Sequence, residues 1–294
     1  MDKKQAFLVL AHKDDYTFRT LLRTLDNKDC TLFIHMDKKN KEYNPQAVEH
    51  CVSNATIVHT VRTDVKWGSF SQIRAEFVLL KAARSIGRFG HYHLISGEDL
   101  PICPINDIVR FFNEHDGVNF INFQSKRNDY YYRTRFYYLF PNKRYKGSDP
   151  LSILCRLTDD VFLRIQKIIG VSRNKEVFFT KGANWFSITD DLAKYVIENE
   201  AWVKKVFAYS LCGDEMFLQT LVYNSDFKNT LYLPSFDDDN IQNMRLVDWK
   251  RGNPYVFQRE DLETIVHSDC LFARKFQCKV DSEIIDAVAK HCEQ

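Results

Sequence analysis

Short strand-like runs alternate with amphipathic segments through the first third of the chain, and this alternation constrains the fold most. "AFLVLA" (6–11) has no polar position, as a strand buried on both faces requires. "DDYTFRTLLRTLD" (14–26) follows with helical spacing through Phe18, Leu21, Leu22 and Leu25. "TLFIHMD" (31–37), "ATIVHT" (55–60) and "YHLISGED" (92–99) read as further strands. "SFSQIRAEFVLLKAARSIG" (69–87) and "INDIVRFFNEH" (105–115) read as helices, the first opened by a Ser69/Gln72 capping box and closed by Gly87. Strand–helix alternation of this kind predicts a Rossmann-like parallel sheet. Ligands of such sheets bind beyond the carboxyl ends of the strands, which here carry His12, Asp37, Glu98 and Asp99.

The text changes after residue 123. "QSKRNDYYYRTRFYYLFPNKRYKGSDP" (124–150) interleaves bases and aromatics with weak periodicity, as a long ordered loop would. Helices near 151–169 and 190–208 flank "KGANWFSIT" (181–189), and the stretch after Gly213 is a further helix. Segments 230–235 and 244–249 follow, then helices near 260–268 and 282–292. With no repeat or flexible linker, 1–294 reads as one domain, with a nucleotide-side half (1–123) and an acceptor-side, catalytic half (124–294).

Composition narrows the function. The 41 Lys and Arg against 39 Asp and Glu leave a net charge of +2, too balanced for a general nucleic-acid binder. The eight Cys contain no C-x-x-C pair and read as reduced thiols. The apolar run near the N-terminus is too short for a signal peptide or a membrane span.

In "YSLCGDEMFLQTLVYNS" (209–225), Asp214 and Glu215 stand where an apolar helix begins. Capping is the commoner role for acids there. The alternative is a general base on a rigid mount, anchored by Met216, Phe217 and Leu221. Arg274 and Lys275 beside Leu271-Phe272, and Lys250 with Arg251 in a turn, are solvated pairs taken singly, but together they could neutralise a diphosphate. Asp237 and Asp239 form a D-x-D, read as a polar loop in preference to a metal site. Trp67 could stack a base, and Trp185 and Trp249 could form sugar platforms, or each could fill core. The basic-aromatic loop also has the composition of a single-strand nucleic-acid surface, which a salt-dependent gel shift would expose.

The ordered set "AFLVLAHKDDYTFRTLLRTL", "LFIHMDKK", "KWGSFSQIRAEFVLLKAA", "HYHLISGEDLPI", "KGANWFSITDDLAKYVI", "GDEMFLQTLVYNS", "MRLVDWKRGNP" and "LFARKF" resembles the core-2/I-branching β-1,6-N-acetylglucosaminyltransferases (glycosyltransferase family 14), which include the peptide O-xylosyltransferases. The resemblance runs from about residue 5 to about residue 280. It implies a GT-A-type α/β fold and inverting, metal-independent transfer from a UDP-sugar, GlcNAc first and xylose or another hexose as the alternative. It makes Glu215 the catalytic base and Lys275 a phosphate ligand, with Arg251 or Lys250 as the second cation and Arg274 alongside. It puts His12, Asp37, Trp67 and Asp99 on the nucleotide side and Trp185, Trp249 and Asp214 on the acceptor or sugar side. No metal or other cofactor is implied. Animal members carry an anchor, a stem and disulfides that this sequence lacks, so the expectation is a bacterial, cytoplasmic member without a transmembrane segment. Its expected acceptor is a saccharide or glycolipid, such as a lipid-linked or capsular precursor, with peripheral membrane association compatible. A degenerate, sugar-binding relative without turnover is the competing reading.

Overall fold

In the computed structural model, which describes residues 3–125, 130–144 and 147–293, the apolar runs form the centre of a mixed sheet. The strands are β1 (Gln5–Ala11), β2 (Cys30–Met36), β3 (Thr56–His59), β4 (His91–Ser96), β5 (Asp99–Pro101), β6 (Phe120–Ile121), β7 (Phe186–Thr189), β8 (Arg245–Val247) and β9 (Phe272–Arg274). The main sheet has the order β3-β2-β1-β4-β7-β6. β1 to β4 are mutually parallel, and β7 and β6 add antiparallel. A second sheet, β5-β9-β8, grows from the carboxyl end of β4. This is the α/β architecture with a Rossmann-like parallel sheet expected from the sequence. Because β7 pairs with β4, the two halves of the chain share one sheet.

Side-chain alternation makes β1 serve two cores. Phe7 and Val9 face one cluster, with Leu32 and Ile34 of β2 and the helices Tyr16–Thr24, Ile105–Glu114 and Glu283–Cys292. Ala6 and Leu8 face the other, with Phe33, Leu94 and the helices Ser71–Ile86 and Asp190–Glu198. Each fully buried Leu or Phe contributes about 1.5–3 kcal/mol by leaving water, so strands apolar on both sides hold the sheet centre.

Three local expectations change. The capping box does not form: the helix starts at Ser71, and the Gln72 carboxamide instead accepts the Gly68 N–H. The expected 190–208 helix is two, Asp190–Glu198 and Glu200–Phe207, joined at Asn199, whose side chain bonds back to Tyr195 O at 2.8 Å. The basic-aromatic loop contains a helical turn, Tyr132–Arg135, and a 3-10 turn, Pro141–Lys143; its residues 126–129 and 145–146 lie outside the described residues. All eight cysteines are free thiols. Among the described residues, no helix is long and apolar enough to cross a membrane.

Candidate active site

The carboxyl edge of the parallel strands gathers the first group of charges. Gly97 passes close under the end of β1: a Cβ there would meet Ala11 Cβ at 3.2 Å and Phe18 at 3.3 Å. The chain then folds back, with Ser96 N and Oγ donating to Asp99 at 2.9 and 2.6 Å. Asp99 opens β5 and pairs in register with Arg274 of β9, which brings Arg274 and Lys275 over this edge. Lys275 Nζ lies 2.9 Å from Glu98 Oε2, and Lys13 Nζ lies 3.1 Å from Oε1. Gln277 also donates to Glu98, at 2.9 Å. Burial alone would raise the Glu98 pKa, but Lys275, His12 and Lys13 outweigh it and hold it below the ordinary carboxylate value. His12 is exposed beside this group, and Asp37 N donates to Ala11 O at 2.8 Å, so both strand-end residues share the edge. The Asp37 carboxylate is itself held by Lys39 at 3.0 Å.

The second group forms around Glu215. Cys212 has a left-handed backbone (φ 48°), rare outside glycine, and a 3-10 turn Gly213–Glu215 follows. The helix Phe217–Tyr223 begins only after this turn, with Met216 at its N-cap and no side-chain cap. Neither acid caps the helix, so the commoner role is excluded. Met216, Phe217, Leu218 and Val222 anchor the turn in the core. Asp214 points inward and is buried: Gln72 donates to it at 2.7 Å. Next to it lies the fully buried Glu76, and the Asn184 carboxamide donates to both Glu76 Oε1 (3.1 Å) and Asp214 O (3.2 Å). Burial first and the Asp214 charge second push the Glu76 pKa up, and burial first and the Glu215 charge second push that of Asp214 up. Glu215 points outward instead. Its Oε2 accepts from Arg133 Nη1 at 2.7 Å and lies 3.4 Å from Lys181 Nζ. Arg133 and Lys181 also line a polar cavity of about 420 Å³, with Gln124, Tyr130, Tyr132 and Asp238.

One short segment joins the two groups. Gly182 N donates to Glu215 O at 3.0 Å, and its missing side chain is required: a Cβ would lie 1.8 Å from Asn122 O. Three residues on, the Trp185 ring stacks 4.3 Å from the Arg274 guanidinium, which lies 3.5 Å from Asp99. Four peptide steps, from Lys181 to Trp185, span at most about 14 Å, so this segment limits how far the backbone at the Glu215 turn lies from the Trp185–Arg274 stack.

The remaining expected residues take these places. Trp67 is half exposed in a loop whose Gly68 O accepts from Cys212 N, beside the Glu215 turn. Trp249 is exposed just past β8, whose Val247 pairs with Arg274. Arg251 is fixed by Asp248 (2.5 Å) and Asp261 (2.7 Å) and stacks on Tyr255, while Lys250 shares its turn through a backbone bond to Asp248. Asp237 and Asp239 spend their carboxylates on local bonds to Gln242 and Ile241 N. Sequence reasoning missed Lys13, Arg133, Lys181 and Glu76. Lys13 could have been found from its place one residue past His12. Arg133 was hidden among the loop's many bases, and Glu76 looked like an ordinary helix-surface acid.

A family model described as "Branch: Core-2/I-Branching enzyme" matches residues 5–269. The chain belongs to this family. Among curated proteins, xylosyltransferase sqv-6 of Caenorhabditis briggsae is 26% identical over 95% of this chain and 35% of its own length. Human xylosyltransferase 1 is 23% identical over 95% of this chain and 29% of its own. The chain thus spans about a third of the length of these curated relatives. A crystal structure of mouse xyloside xylosyltransferase 1, apo form, aligns over 95% of this chain and 99% of its own with a TM-score of 0.39 and 10% identity.

Proposed function

We propose that the chain is an inverting glycosyltransferase that moves a sugar from a UDP-sugar to a saccharide hydroxyl without a metal ion. The observation that carries this reading is the opposite exposure of two charge groups linked by the segment from Lys181 to Trp185. In the Glu215 group the carboxylate is the exposed partner, 34% against 17% for Arg133 and 15% for Lys181. In the Glu98 group the carboxylate is only 9% exposed, against 24% for Lys275 and 43% for Lys13. A ligand therefore meets a base at one end and cations at the other.

Glu215 takes the acceptor's hydroxyl proton while that oxygen attacks the anomeric carbon. The bond from that carbon to the diphosphate oxygen breaks, and its electron pair leaves with UDP. Lys275, with Lys13 and Arg274, stabilises the growing charge, and Arg251 or Lys250 supplies the second contact. Attack opposite UDP turns an α-linked donor into a β-glycoside. His12, Asp37, Asp99 and Trp67 serve the nucleotide side. Trp185 and Trp249 serve the sugar, and Asp214 holds the Glu215 turn from below.

GlcNAc is the first donor candidate, from the family's branching members. Xylose is the second reading, favoured by the names of the relatives. A thermal-shift and donor-hydrolysis screen of UDP-GlcNAc, UDP-xylose and other UDP-sugars, run with EDTA, tests the proposal. Stabilisation and UDP release by one donor, persisting in EDTA, is the expected result. Binding without release would favour a sugar-binding relative, and no response to any nucleotide sugar would remove the reading.

A further inference from the structure

The helix Pro150–Ile168 is built inside out. Its buried side chains are polar: Ser152, Asp159 and Gln166, seven residues apart and so on one face. Asp159 accepts the N–H groups of Leu139 and Phe140, and Gln166 exchanges two hydrogen bonds with Tyr137 (2.8 and 2.9 Å). The helix is thus attached by polar side chains to the backbone of the same loop that carries Tyr132 and Arg133 into the cavity. Leu163 adds a partly buried contact with the Tyr138, Leu211 and Cys212 cluster, yet the outer face carries Leu154, Leu157, Val161, Ile165 and Ile168, exposed by 60, 58, 54, 48 and 83%. Surface helices normally show the reverse pattern. An exposed apolar stripe of this kind marks an interaction surface.

The flank of the stripe says what covers it. At about 100° per residue, Arg164 borders the stripe, and Lys167 lies farther round the same side with its Nζ 5.9 Å over the Phe136 ring. The acids of the helix are already engaged: Asp159 is buried on the loop, and Asp160 pairs with Arg144. The surface offered is apolar in the middle and cationic at one edge, the pattern of a helix lying in the headgroup region of an anionic bilayer. A second copy of the chain fits less well. Nineteen residues give a stripe about 28 Å long and about 10 Å wide. That is roughly 300 Å² per partner, against the roughly 800 Å² of a stable interface. An antiparallel pairing across a two-fold axis would also set the two cationic flanks against each other.

We propose that the outer face of helix Pro150–Ile168 docks the protein on the surface of a membrane rich in anionic lipid. Each basic residue near such a surface raises partition by roughly fivefold. Docking is independent of the transfer reading, because it is measured on vesicles without any sugar.

The test is co-sedimentation with vesicles of phosphatidylglycerol and phosphatidylcholine in equal parts, compared with phosphatidylcholine alone. The intact chain is expected to pellet with the anionic vesicles and to be released by high salt. V161E/I168E should lower the partition at least tenfold, and R164E/K167E about tenfold or more, both with unchanged melting temperature and UDP-sugar hydrolysis. Failure to pellet with anionic vesicles, or pelleting undiminished in V161E/I168E, overturns the proposal. So does light scattering that shows a dimer split to monomers by V161E/I168E, which would make the partner a second copy.

Discussion

Glu98 and Glu215 are each bracketed by two cations, and nearly the same set of charges is turned to opposite ends. Glu98 has Lys275 and Lys13; Glu215 has Arg133 and Lys181. What differs is depth. β5 leaves the end of β4 and buries Glu98 beneath its lysines, whereas the 3-10 turn after Cys212 lifts Glu215 above its partners. A buried carboxylate neutralises and orients cations. A half-exposed one, with its cations packed behind it, presents a base. Charge composition alone would not separate the two; the backbone that carries each acid does.

The largest test of this contrast is a pair of amide substitutions. Glu215→Gln should lower the transfer rate by about 10²–10⁴-fold, the usual worth of a general base, with UDP affinity little changed. Glu98→Gln should keep UDP binding within about tenfold and lower the melting temperature, since two lysines lose their buried partner. Were Glu98→Gln to abolish transfer as fully as Glu215→Gln with UDP still bound, the distinction between the two ends would fail. A smaller effect is expected at the cations. Lys275→Ala removes a charge-assisted contact of about 1.5–3 kcal/mol, or about 10–150-fold in UDP affinity. Lys13→Ala, more exposed, should cost about fivefold or less. Titration calorimetry with UDP reads both, and unchanged affinity in Lys275→Ala would move the phosphates elsewhere.

The same contrast explains what the sequence could disclose. Strands β1, β2 and β4 were legible because burial on both faces favours short, mostly apolar runs, and their ends marked His12, Asp37, Glu98 and Asp99 without knowledge of any contact. The Glu215 group was not legible in this way. Arg133, Lys181 and Glu215 come from three segments with no shared period, brought together by the Gly182 N–H bond to Glu215 O and the two ion pairs to Glu215. The capping reading of Asp214 and Glu215 failed because the apolar run starts at Met216 but the helix starts one residue later, after a 3-10 turn that periodicity does not register. The amphipathic pattern of 150–168 was legible as a helix but not as an inverted one, since the core side of a stripe is a property of its neighbours.

The smallest expected effect is on stability against pH, where the two ends should respond on opposite limbs. Glu98 is held below its ordinary pKa, so its contribution is present above the usual carboxylate range and is lost as pH falls through the folded value. Glu76 and Asp214, behind Glu215, are raised by burial, and Glu76 Oε2 and Asp214 Oδ1 have no hydrogen-bond partner among the described residues. For them the folded state binds more protons than the unfolded one, so stability is full below the ordinary carboxylate pKa and falls as pH rises through the folded value. Denaturant titrations across about pH 3 to 8 should show both limbs, spanning the ordinary carboxylate pKa values near 4. Glu76→Gln should flatten the fall on the alkaline side and leave the acid limb unchanged, because a neutral amide of the same shape has no proton to lose. Glu98→Gln should do the reverse. A Glu76→Gln variant with the parental slope above the carboxylate range would mean that Glu76 is ionised in the folded protein. Glu215 would then stand over a buried negative charge, and Arg133 and Lys181 would serve to offset that charge as much as to present the base.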